Sequence, residues 1–229
     1  MQNYKTQLKK GLLVWIALLF IDISNAQVFS VDTLMRNGER NNRVNLVYLS
    51  DGYTAAEITN YIGNATAIND ALFLQTPFAE YKNFFNVYAI KVPSTQSGAV
   101  HPGTASDESS SGGQPVANPT IYFNSTFDYF SIHRLLVPQN AGLVYSVLAS
   151  NLPDFDQAFI IVNSPYYGGS GGNFATSSVH SSAAEIAIHE IGHSFANLAD
   201  EYWAGDFYAA ERHNMTQNTN PATVRWANW

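Results

Sequence analysis

His189, Glu190 and His193 stand in the spacing His-Glu-x-x-His. On an α-helix, positions four apart lie about 40° apart in azimuth and about 6 Å apart along the axis. Both imidazoles therefore reach one metal ion from the same face. Glu190, beside the first imidazole, points to the side, where it can take a proton from water activated by the ion. Zinc suits this chemistry, because it brings the pKa of bound water towards about 7 and so yields a hydroxide for attack on a carbonyl. The bland alternative is a surface helix that happens to carry two histidines. Ile186, Ala187, Ile188, Ile191 and Phe195 argue against it, since they make the helix apolar on most of its circumference. A helix buried in that way carries two imidazoles and a carboxylate at a cost unless they are paired or ligated.

A catalytic zinc takes three protein ligands and keeps a fourth position for water. Asp200 is the expected third. On a straight helix it would sit about 16 Å beyond His189, out of reach. It returns to the metal only if the helix stops near residues 196–197, where Asn197 tolerates a left-handed backbone. Glu201, then Asp206, are the competing carboxylates, and a non-ligating pair at the helix end is the plain alternative. The chain has no cysteine, so a transition metal must be held by imidazole and carboxylate. His101 and His213 are alternative ligands, each expected in solvent. His180 reads as a capping or surface residue. Tyr202 is placed to stabilise an oxyanion or to pack at the helix end.

These side chains need a scaffold. Residues 28–35 and 44–49 (VNLVYL) read as strands, and Thr54 with Glu57 as a capping box opening a helix over 55–73. Residues 84–92 (FFNVYAIKV) form a strand, and 94–119 a long loop rich in Ser, Gly and Pro. A short strand is expected at 121–123, broken helix over 132–150, a central buried strand at 158–162 (AFIIV) and an edge strand at 174–179. Residues 166–173 (YYGGSGGN) lack the Lys of a phosphate loop; they are expected to lead into an edge that pairs with a peptide backbone. Ser181 or Ser182 caps the active helix, Glu185 standing three residues after Ser182 as a capping-box partner, and the helix spans 183–198. The order predicts an α/β domain with a mixed, twisted sheet backed by helices.

Lys5, Lys9 and Lys10 precede a short apolar run, GLLVWIALLFI, and Ser24-Asn25-Ala26 supplies small residues before Gln27. Residues 1–26 therefore read as a cleaved secretory signal, and the run is short of the roughly 20 residues that span a membrane. The expected location is secreted or periplasmic, with no membrane anchor after cleavage. Loss of this segment leaves 8 basic against 17 acidic side chains. Such a chain is a poor match to nucleic acid or anionic membranes.

The stretches NLVYLSDGYTAAE, FFNVYAIKVPSTQSG, IIVNSPYYGGSGG and HEIGHSFANLADEYW together resemble the M64 metallopeptidases, the group named for bacterial IgA peptidases. They recur in that family's order and cover most of the mature chain. The resemblance implies a zinc-dependent endopeptidase acting on polypeptides, with a metzincin-like (zincin) catalytic domain; with the secretory signal set aside, that domain covers residues 27–229. Two departures stand out. Metzincins place a glycine and the third ligand at positions that here are Ala196 and Ala199, so the ligand shifts to Asp200. Their methionine turn has only Met215 to match it. The chain ends at Trp229, soon after the active helix, and a catalytic domain truncated at its C-terminus is expected. A non-catalytic zincin-like binding or adhesion module is the alternative from another class, and hydrolysis of a cell-wall amide a third.

Overall fold

Strand residues that alternate between two apolar faces need cover on both sides, and the middle of this chain is built that way. The computed structural model describes residues 27–110, 113–202 and 211–228. The expected secretory signal and Asp206 lie outside the described residues. In chain order the elements are β1 (Val31–Met35), β2 (Val44–Asp51), α1 (Ile58–Leu72), the short α2 (Phe78–Tyr81) and β3 (Phe85–Ile90). After the long connection come β4 (Ser125–Thr126), β5 (Val137–Pro138), α3 (Ala141–Asn151) and β6 (Gln157–Val162). The chain continues through β7 (Gly169–Ser170), β8 (Ala175–Ser178) and α4 (Ala183–Ala196).

Six strands form one mixed sheet in the order β1-β3-β2-β6-β8-β7. β2, β3, β6 and β8 run parallel, while β1 and β7 are antiparallel additions at the two edges. Leu46 stands opposite both Val87 and Gln157, which fixes the central register. On one face Val47, Leu49, Ile160 and Val162 pack with Val144 and Leu148 of α3 and with Phe123, Phe127 and Leu136 of the connections. On the other, Leu46, Tyr48, Phe159 and Ile161 pack with Tyr61, Ile68 and Leu72 of α1 and with Ala187 and Ile191 of α4. This is an α/β fold, and its second layer holds the His-Glu-x-x-His helix against the sheet.

Several expectations need correction. Glu57 Oε2 accepts from the Thr54 N–H at 2.8 Å as expected, but the first turn is 3₁₀ and α1 proper begins at Ile58. Residues 121–123 form no strand, because the Phe123 N–H is taken by the buried Asp51 carboxylate. Helix over 132–150 is found only from Ala141; Leu135 and Leu136 instead pair with the backbone of Gly169. β8 is not an edge strand, since β7 lies outside it. The strand expected to receive a peptide is therefore paired on both sides, by β6 and β7, and β7 outside it is bonded at Gly169 by Arg134 and Leu136.

Asp51, at the C-terminal end of β2, organises the long connection. Its carboxylate accepts from the N–H groups of Gly52, Phe123 and Ser125 at 3.0–3.1 Å. Complete burial pushes its pKa up, and these hydrogen bonds pull it back.

Candidate active site

α4 buries Ile186, Ala187 and Ile191 against the sheet and α1, and Phe195 packs on Phe78 and Phe85. The helix is less enclosed than its composition suggests. The His189 side chain is 46% exposed, so its face opens outward. Ser182 occupies the N-cap without a side-chain capping bond; His180 Nδ1 accepts its N–H at 3.1 Å instead, so His180 takes the capping role.

The helix stops at Ala196. Asn197 adopts φ 51° and ψ 40°, the left-handed conformation that ends helices. Its N–H bonds to the His193 carbonyl, and that of Leu198 to Gly192. The chain then doubles back. Asp200 Oδ1 comes to 3.0 Å from His189 Nε2 and 3.3 Å from His193 Nε2, and the two Nε2 atoms are 3.0 Å apart. Zinc bonds of about 2.0–2.2 Å set tetrahedral ligand spacings at about 3.3–3.5 Å. The three atoms therefore stand within a few tenths of an ångström of that spacing. Asp200 Oδ1 is buried and has no hydrogen-bond partner, which fits an oxygen aimed at a cation.

Surrounding groups hold these atoms in place. His193 Nδ1 lies 2.8 Å from the Leu198 carbonyl. A carbonyl only accepts, so the ring proton sits on Nδ1 and the Nε2 lone pair faces inward. Asn214 accepts from the Ala199 N–H and donates to the Ala199 carbonyl, both at 2.8 Å. The same amide donates to Glu201 Oε1 at 3.2 Å. Of the two neighbouring carboxylates, Asp200 faces the imidazoles and Glu201 binds Asn214. His213 is spent on the Ala196 carbonyl, 2.6 Å from its Nδ1.

Glu190 offers an oxygen within 4.8 Å of both imidazole donors. Burial, and then the charge of Asp200, push its pKa up to about 8, opposed by Arg134. A cation at the imidazoles acts with Arg134 to favour the carboxylate. Tyr202 lies over His189, their ring centroids 6.5 Å apart and nearly parallel. Arg134 Nη2 donates to its hydroxyl at 3.4 Å. Burial and the charge of Asp200 raise the Tyr202 pKa.

Two glycines bring the sheet edge onto this site. A Cβ at Gly169 would lie 3.1 Å from Glu190 Oε1 and 2.5 Å from Ile186 Cγ2, and one at Gly171 would lie 2.5 Å from His193 Cβ. Sequence reasoning missed Asn214, Arg134 and these two glycines as parts of the site. Each is brought there by tertiary contact, and only the glycine run left a mark in the sequence. His101 corrects another expectation: it is 1% exposed rather than solvated, and groups with Glu108, Asp128 and His133 instead.

The sequence model of the family described as IgA Peptidase M64 matches residues 33–229. The chain belongs to the M64 peptidase family. Comparison with curated proteins finds no match. Membership makes this M64 chain a metallopeptidase and polypeptides its class of substrate. Among the described residues, His189, Glu190 and His193 of α4 form one of two groups of side chains that could hold a metal ion, the other being His101, Glu108, Asp128 and His133.

Proposed function

We propose that this M64 peptidase is a secreted zinc endopeptidase with a metzincin-like catalytic domain. In this reading His189, His193 and Asp200 hold the ion and Glu190 is the general base. The observation that carries it is the convergence of three donor atoms at 3.0–3.3 Å, one of them a buried carboxylate oxygen without a hydrogen-bond partner. A zinc ion held there supplies a Lewis acid that polarises a peptide carbonyl and acidifies water. Glu190 accepts a proton from the attacking water as its oxygen bonds to the carbonyl carbon. The same carboxyl then gives the proton to the amide nitrogen as the C–N bond breaks. Tyr202, bonded by Arg134, lies over the His189 ring beside Asp200, and in this reading substrate reaches the metal along the part of His189 that stays open to solvent.

Glu190→Gln tests the role of the base. The variant should keep its zinc and lose activity on a denatured polypeptide to below about 1% of wild type. A zinc-loaded variant that still cleaves well rejects Glu190 as base. A zinc-loaded wild type that cleaves no polypeptide favours the binding module. Secretion rests on residues 1–26, and protein recovered outside the cytoplasm should begin at Gln27.

A further inference from the structure

A second group of donors lies in the connections between β3 and α3. His101, Asp128 and His133 have side chains only 1%, 1% and 5% exposed, and Glu108 closes the group. His101 Nε2 is 3.0 Å from Glu108 Oε1 and 3.5 Å from Asp128 Oδ1. His133 Nδ1 is 3.2 Å from Asp128 Oδ1 and 3.7 Å from Glu108 Oε2. These separations bracket the spacing of about 3.3–3.5 Å that tetrahedral zinc imposes on nitrogen and oxygen ligands.

The protonation pattern favours a cation. His101 Nδ1 lies 2.8 Å from the Pro115 carbonyl, which only accepts, so the proton of the neutral ring is there. The Nε2 lone pair then faces carboxylate oxygens, and lone pairs so opposed repel unless a cation separates them. Protonating Nε2 is the competing remedy. Yet Nε2 makes no hydrogen bond to either oxygen, and Glu108 Oε2 is likewise buried without a partner. Asp128 Oδ2 accepts from the Thr104 N–H, which leaves Oδ1 facing the centre of the group, where His133 Nδ1 meets it in hydrogen-bond geometry at 3.2 Å.

We propose that His101, Glu108, Asp128 and His133 bind a second, structural zinc ion. Two imidazoles and two carboxylates suit zinc, and four protein ligands leave no open position for a reacting water. The ion ties residues 101–108 to residues 128–133. Phe127 stacks on His133 and lies under Gly168, and Arg134, next in the chain, reaches Tyr202. The site thereby braces the wall of the catalytic cleft.

The test is zinc content by mass spectrometry on the full chain, with the first site removed by His189→Ala and His193→Ala. Wild type should carry about two zinc ions and the double variant about one, lost again when His133→Ala is added. Cobalt substituted into the double variant should give the intense visible absorption of a tetrahedral ion. A folded double variant that carries no zinc overturns the proposal, as does a bound ion indifferent to His133→Ala. Failure of the catalytic reading looks different: the double variant would then hold as much zinc as wild type.

Discussion

Asp200 reaches the imidazoles because one residue, Asn197, takes a backbone conformation that most side chains avoid. That stop was legible in the sequence, since a straight helix would carry the carboxylate out of range. The amide that holds the returning turn was not, because Asn214 meets Ala199 from fifteen positions away and carries no local signature. Asp200→Ala should weaken zinc binding by more than about 100-fold, beyond the usual range for an outer partner of a ligand. Glu201→Ala should leave the ion in place. Competition titration with a chromophoric chelator separates the two, and an equal loss in both variants would remove Asp200 from the ligand set. Asn214→Ala should fall between them, at about 10–100-fold, since it frees the turn but keeps every ligand.

At the scale of elements, the central strands were readable from their apolar runs, and the errors cluster where backbone groups find distant partners. The spacing of Ile132, Leu135 and Leu136 mimics a helix, yet their segment bonds to Gly169, more than thirty residues on. The run 121–123 looks like a strand, but an Asp51 oxygen takes the Phe123 N–H. The glycines of 168–172 read as loop, whereas two of them let the sheet edge lie directly on α4. Gly171→Ala should therefore push on His193 and lower kcat/KM, with a stability cost of about 1–3 kcal/mol; unchanged kinetics would mean that the edge gives way freely. Glu57 offers a second test. Hydrogen bonds from the Thr54 backbone and then its hydroxyl hold the Glu57 pKa below the usual range. Its contribution is thus fully present above the unfolded carboxyl pKa and lost as pH falls through the lower folded value. Glu57→Ala should cost about 1 kcal/mol near neutral pH, and denaturant curves of variant and wild type should converge in acid.

For the molecule as a whole, the absence of cysteine shifts to core packing and bound ions the work that disulfides do in many secreted domains. The sheet supplies two apolar layers, but residues 94–119 contribute little to either, and what pins them is polar: the Asp51 carboxylate, which accepts from Ser94 Oγ at one end, and the His101–Asp128–His133 group further on. An ion in that group links connections that otherwise meet mainly through side-chain and scattered backbone bonds, so its removal should loosen this region before the sheet. The chain carrying His189→Ala and His193→Ala isolates the effect, since zinc at the catalytic helix no longer contributes. If free zinc exceeds its dissociation constant about a thousandfold, the bound ion stabilises the fold by about 4 kcal/mol. For a domain of this size that corresponds to roughly 10 °C in Tm. Chelation of the double variant should therefore lower Tm by about that amount and expose residues 94–119 to limited proteolysis, while β2 and β6 keep their amide protection. A chelated double variant that melts unchanged and resists the protease would show that packing and the Asp51 hydrogen bonds suffice to hold the connection.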